Sequence, residues 1–216
     1  YINITVTDQI ENPTSLTLNA SSNYISSYTV ADAAGMEMLL VNPGTFIMGD
    51  PWLHENGTFE YYEQQNTHKP HTVSLTDYFY LGKYEVTQQE FQEVMGYNPS
   101  LEGGATGGTI PVNGISWQEA QDFCEKLNEA DKNLPLGWRY SLPTEAQWEY
   151  ACRAGSNTVF YWGGDYDTWN WGEGVSGANA NYGPGGIEIV GKYPANTWGF
   201  HDMAGNVMEW VSDWFD

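Results

Sequence analysis

Between Asp202 and Glu209 the chain reads Asp-Met-Ala-Gly-Asn-Val-Met-Glu. Two carboxylates and an Asn surround a Gly whose turn frees backbone carbonyls. Oxygen donors of this kind suit a hard cation, calcium first. Ordinary turn chemistry at Gly205 and Asn206 accounts for the same residues without an ion. The spacing alone leaves both readings open. His68-Lys-Pro-His71 puts two imidazoles three apart, but Pro70 excludes a shared helix face, so the pair reads as a loop feature rather than a zinc site. Glu145 and Glu149 lie one helical turn apart and could form an acid–base pair, although capping and solvated roles are commoner.

Cys124 and Cys152 are the two cysteines of the chain. They lack metal-motif spacing and are too few for a disulfide framework. Each falls on an apolar helical stripe, which reads as a buried small hydrophobe. Arg153 adjoins Cys152, yet neighbours on a helix point apart. There is no Gly-Lys-Ser/Thr loop, no G-x-G-x-x-G after a strand and no nucleophile elbow. The Gly103–Gly108 cluster is followed by no basic residue and reads as a loop.

These groups need a scaffold, and 216 residues suffice for one fairly large domain. Apolar residues make up 41% and aromatic ones 15%, enough for a sizeable core. Ten Trp and 15 Tyr beside 24 Gly and 10 Pro point to a loop-rich fold packed around rings. With 28 acidic against 7 basic residues the net charge is −21. Such a surface repels phosphate backbones and anionic lipid, which argues against nucleic acid as a partner. No apolar run of membrane-spanning length occurs, so membrane insertion is not expected.

Tyr1–Asp8 alternates β-branched and polar residues as a strand would, and Asp8–Pro13 interrupts it. Residues 1–13 resemble the end of a cadherin-type repeat, with a plain strand and linker as the alternative. Residues 14–34 are rich in Ser, Thr and Asn and read as a linker. A start at Tyr1, inside a strand pattern, suggests a piece of a longer protein. Met36–Val41 and Gly44–Gly49 read as two strands joined by the Asn42-Pro43-Gly44 turn. Residues 71–75 and 78–84 read as further strands. Three helices announce themselves by capping boxes: Thr87 with Glu90, Ser116 with Glu119, and Thr144 with Gln147. Gly96 is placed to end the first. Residues 155–194 carry too many Gly for regular elements. Residues 207–214 alternate as a strand, with Met208, Trp210 and Trp214 on one side and Glu209 and Asp213 on the other. Without β-α-β alternation, the element order argues an α+β fold.

In order, Leu40–Gly49, Lys83–Thr87, Pro111–Trp117 with Ala120, Leu142–Gly155, Tyr161–Gly163, Ala180–Tyr182 and Asn196–Trp210 resemble the formylglycine-generating enzyme family, the sulfatase-modifying factor domain. The resemblance covers roughly residues 35–216. It implies a C-type-lectin-like α+β fold with few regular elements and long ordered loops, stabilised by calcium. The enzymes of this family oxidise a protein cysteine in a sulfatase to formylglycine with dioxygen, using copper held by a cysteine pair. By the resemblance, Asp202 and Glu209 would give calcium their side chains, and Gly205 and Val207 their carbonyls. Asn181 and Tyr182 would begin a second calcium site, although the loop from Gly183 to Ile189 is short and its acidic ligand is not obvious.

Three departures matter. The catalytic cysteine pair would lie beyond Asp216, so copper enters only if those cysteines exist, and this chain alone is expected to be inactive. Met208 stands where the family usually has Trp. Cys124 and Cys152 match positions that, in vertebrate-type enzymes, bond to cysteines further on. The two functions carried forward are a formylglycine-generating oxidase acting on a sulfatase peptide, and a non-catalytic, calcium-stabilised lectin-like module binding an extracellular ligand. An extracellular or periplasmic setting, the cell surface included, is expected for either.

Overall fold

The computed structural model describes residues 4–8, 27–29, 35–49, 69–101, 105–132, 134, 136–158, 160–163, 179–182 and 186–214. Seven strands and three α-helices occur among them: β1 Thr5–Asp8, β2 Ser27–Thr29, β3 Glu37–Val41, β4 Gly44–Met48, β5 His71–Leu75, β6 Phe79–Gly82, α1 Gln88–Met95, α2 Trp117–Ala130, β7 Trp138–Ser141 and α3 Glu145–Arg153. An antiparallel sheet runs β2-β3-β6-β1-β7, and β4 pairs with β5 apart from it. The α+β class read from the sequence is the class observed.

Alternation along the strands explains the layering. Ile4, Val6, Met38 and Tyr140 point to one face and pack with Phe91, Phe123, Cys124 and Leu127 of α1 and α2. Leu39, Val41, Phe79 and Leu81 point to the other and pack with Tyr150 and Ala151 of α3 and with Phe200 and Met203. The sheet is thus buried on both sides. The three helices begin where the boxes predict. Thr87, Ser116 and Thr144 accept from the N–H three residues on, and Glu90, Glu119 and Gln147 return the bond. Gly96 ends α1 at φ 84°.

The two strands expected on either side of Asn42-Pro43-Gly44 are β3 and β4, which join different sheets rather than pairing with each other. One expectation needs correction. Residues 207–214 form no continuous strand: bends at 207, 212 and 213 flank a single bridge residue, Trp210, and the Val207 and Ser212 N–H groups go to the Glu85 side chain and the Pro143 carbonyl. β1 pairs with both β6 and β7, inside the main sheet. Among the described residues, no helix is long and apolar enough to cross a membrane.

Candidate metal centre

The Asp202–Glu209 turn is held in a shape that few residues tolerate. Asp202 has φ 57°, Gly205 120° and Asn206 61°. Asp and Asn enter this left-handed region more readily than other side chains. At Gly205 a Cβ would sit 2.5 Å from the Asn181 carbonyl oxygen, so only glycine fits there. The Asn206 N–H donates to that same oxygen at 2.7 Å. Since the peptide is trans and planar, this bond turns the Gly205 carbonyl away from Asn181.

Asp202 is buried. One carboxylate oxygen, Oδ2, accepts from the Gly191 N–H at 2.6 Å. The other, Oδ1, is buried without a hydrogen-bond partner. An orphaned buried carboxylate oxygen is costly unless something positive meets it. Burial raises the Asp202 pKa above the ordinary carboxylate value, against the Gly191 bond and the nearby His201. Half-buried Glu209 accepts from the Trp148 indole N–H at 3.0 Å, and half-buried Val207 donates its N–H to Glu85 Oε1 at 3.2 Å.

Asn181 is tied to the same turn. Its amide Nδ2 donates to the Gly186 carbonyl at 2.7 Å and to Asn206 Oδ1 at 3.1 Å, and Tyr182 beside it is exposed. The two stretches that the resemblance assigns to calcium therefore meet through Asn206. Among the described residues no three His, Cys, Asp or Glu side chains form a metal cage. The set that the resemblance assigns, two carboxylates with backbone carbonyls, would be of a different kind, one that suits a hard cation.

Sequence reasoning missed Glu85. It is buried at 1% exposure and takes Asn206 Nδ2 at 2.7 Å as well as the Val207 N–H. Burial, then the charges of Glu209 and Asp202, push its pKa well above the ordinary value. The available signal was an acidic residue beside Val86, in the Lys83–Thr87 segment that enters the core.

The remaining candidates have structural roles. Glu149 accepts from Arg153 Nε at 2.7 Å and from the Gly49 N–H at 2.9 Å, while Arg153 donates to the Gly49 carbonyl at 2.6 Å. The Glu145 N–H is capped by Asp213 at 2.5 Å. The Glu149 carboxylate is thus engaged in an ion pair and a backbone bond that tie α3 to Gly49. His71 is exposed, its Nδ1 on the Lys69 carbonyl at 2.9 Å; His54, His68, Gly103 and Gly104 lie outside the described residues. Cys124 belongs to the first core cluster, and Cys152 packs against the second. Burial pushes both thiols up to about 12. Such thiols do not fit a Cu(I) dithiolate, which needs paired thiolates, and no step through copper follows from them.

Comparison with known proteins accords with this architecture. Residues 26–216 match the family described as sulfatase-modifying factor enzyme 1-like domain. The chain belongs to that family. It is 31% identical over 235 aligned residues to the chaperone protein LppX of Paenibacillus barcinonensis, covering 86% of this chain and 79% of that protein. It is 26% identical to the formylglycine-generating enzyme of Mus musculus, covering 83% of this chain and 58% of the mouse protein. The solved structure of PvdO from Pseudomonas aeruginosa superposes with a TM-score of 0.70 at 25% identity, covering 90% of this chain and 77% of that one.

Proposed function

We propose that this chain acts as a calcium-stabilised binding scaffold of the sulfatase-modifying factor type, and that it does not by itself oxidise cysteine. The observation that carries this reading is the state of the two thiols. Oxidation of a substrate cysteine by the chemistry of this family needs a copper-binding thiolate pair. Cys124 is buried in the first core cluster, and Cys152, partly buried, packs against the second and donates to the Met203 carbonyl; both have pKa values raised to about 12.

The orphaned Asp202 oxygen, the Glu209 carboxylate and the carbonyls of Gly205 and Val207 would hold calcium. The ion would supply positive charge to a turn otherwise walled by acids. Asn181 and Tyr182 would begin a second site. An outer surface for a partner is offered by Met208 and Trp214, each 82% exposed, with Trp210 between them. Exposed large apolar groups of this kind fit contact with a polypeptide. A net charge of −21 favours a neutral or cationic one. Similarity to a protein named as a chaperone supports this reading. An extracellular or periplasmic setting, where calcium is plentiful, would go with it.

A second reading, oxidation of a sulfatase cysteine to formylglycine, is supported by the similarity to the mouse enzyme. It requires a cysteine pair that these 216 residues do not supply. The deciding experiment incubates the purified chain with copper, dioxygen and a cysteine peptide of sulfatase type, followed by mass spectrometry. No formylglycine is expected; conversion beyond one turnover per chain would overturn the scaffold reading.

A further inference from the structure

The Asp202–Glu209 turn has a third acidic wall, supplied from far away in the sequence. Glu85 lies in the link from β6 to α1, flanked by buried Val86, and is 1% exposed. Its two oxygens are used separately. Oε2 takes the Asn206 side-chain amide at 2.7 Å, and Oε1 takes the Val207 N–H at 3.2 Å. Both donors are neutral. The ion pairs of the described residues join Lys83 to Glu37, Arg153 to Glu149 and Lys192 to Glu188, and none reaches Glu85 or Asp202. An interior carboxylate with only neutral partners is unfavourable unless a positive charge is close by. The orphaned Oδ1 of buried Asp202 independently asks for the same thing.

The backbone shows what Glu85 does to the turn. Because the Asn206–Val207 peptide is trans, drawing the Val207 N–H toward Glu85 sends the Asn206 carbonyl the opposite way. Asn206 is held on three further sides, by the Asn181 carbonyl and amide and by the Glu188 N–H at 3.0 Å. Glu85 thus completes the fixing of residues 205–207, whose flanking carbonyls are the candidate donors.

We propose that Glu85 is the positioning residue of the cation turn, fixing it through Asn206 and Val207 and adding a third negative charge that makes the site prefer di- and trivalent over monovalent cations. It acts on the ion through its field and through the turn, not as a ligand. This rests on the reading of the turn as a calcium site. Glutamine at this position could accept one of the two bonds but could not supply the charge. Coulomb attraction scales with ion valence, so loss of one charge weakens a trivalent ion more than a divalent one.

The test uses the whole chain with calcium chloride, lanthanum chloride, sodium chloride or chelator, read by thermal melting and by titration calorimetry. Glu85→Gln removes a buried carboxylate crowded by like charges but leaves one donor unmet, so in chelator it is expected to melt near the native temperature. Its calcium-induced rise in melting temperature should shrink, with calcium binding weakened about tenfold and lanthanum binding weakened more. Glu85→Asp keeps the charge and should keep the valence preference, even where its shorter reach weakens both ions. A native chain that answers calcium while Glu85→Gln answers identically, or loses the same stability with and without calcium, overturns the role of Glu85 alone. A native chain indifferent to both calcium and lanthanum overturns the calcium reading and this role with it. If Glu85→Gln does not fold, Glu85→Asp decides, because loss of its valence preference overturns the proposal.

Discussion

The Asn206 side chain donates to the Glu85 carboxylate at 2.7 Å across 121 residues of chain. That bond joins the β6–α1 link to the Asp202–Glu209 turn. Burial first, and then the charges of Glu209 and Asp202 beside it, disfavour the ionised form of Glu85. A cation bound at such a turn would offset this crowding.

Calcium should therefore stabilise the native chain. A ligand at a hundred to a thousand times its Kd contributes about 2.7–4.1 kcal/mol. For a domain of this size that corresponds to a rise in melting temperature of roughly 5–15 °C. Glu209→Ala should lower stability in calcium and remove most of the difference between calcium and chelator. Scanning calorimetry of both proteins in both buffers measures this. A native melting curve unmoved by chelator, together with an unmoved mutant, contradicts the assignment.

Asn196 should be among the most sensitive polar positions. It is buried, and its amide donates to the carbonyls of Ala151 at 2.7 Å and Cys152 at 3.2 Å, near the end of α3. Its oxygen accepts from the N–H groups of Trp198 at 3.0 Å and Phe200 at 3.1 Å. One side chain thus closes the helix end and shapes the loop that covers the sheet. Asn196→Ala strands buried backbone groups and should cost about 2–4 kcal/mol in urea unfolding. Asn196→Asp keeps the accepting half and should cost less as long as its new charge is solvated. A loss below about 0.5 kcal/mol for Asn196→Ala would show that water replaces these bonds.

Local signals were legible and distant ones were not. The capping boxes at Thr87, Ser116 and Thr144 depend on residues three apart, and each appears where the sequence puts it. The strand at β1 was legible from alternation, but its partners β6 and β7 are far off in sequence, so its central place was not. Short β7, with its Trp-Arg-Tyr-Ser sequence, gives too few residues for a period to show. At the site, Asp202, Gly205 and Glu209 were visible as a motif. Glu85 was not, since its role comes from two hydrogen bonds to a turn more than a hundred residues later. Residues 207–214 had the alternation of a strand and misled, because Glu85, Trp148 and Pro143 take up the polar groups there instead.

The two thiols should be inert in the folded chain. Burial raises each from about 9 to about 12. At pH 8 that lowers the thiolate fraction about a thousandfold. Neither cysteine should react with iodoacetamide in the native state within hours, and both should react at once in denaturant. The same shift fixes the alkaline behaviour. A folded-state pKa above the unfolded value means that the contribution is complete below about 9 and is lost as pH climbs toward 12. Stability should fall there by up to about 1.4 kcal/mol per pH unit for each thiol. Cys124→Ala should flatten that slope, and rapid native labelling of Cys152 would show it to be accessible.

Gly44 tests how the two sheets are joined. A Cβ at this position would collide with the Tyr150 hydroxyl oxygen and lie 3.0 Å from Cζ. The Tyr150 ring has little room to retreat, since it packs on Phe46 at 5.1 Å and edge-on to Trp198 at 4.9 Å. Gly44→Ala should therefore cost about 1–3 kcal/mol, an overpacking effect and not a turn effect. Tyr150→Phe deletes the oxygen that the new methyl would strike. In that background the cost of Gly44→Ala should fall by about 1 kcal/mol or more, a coupling that urea unfolding of the four proteins in the cycle reads directly. Strictly additive losses would mean that α3 shifts as a body to accept the methyl, and that the contact between β4 and α3 is looser than its geometry implies.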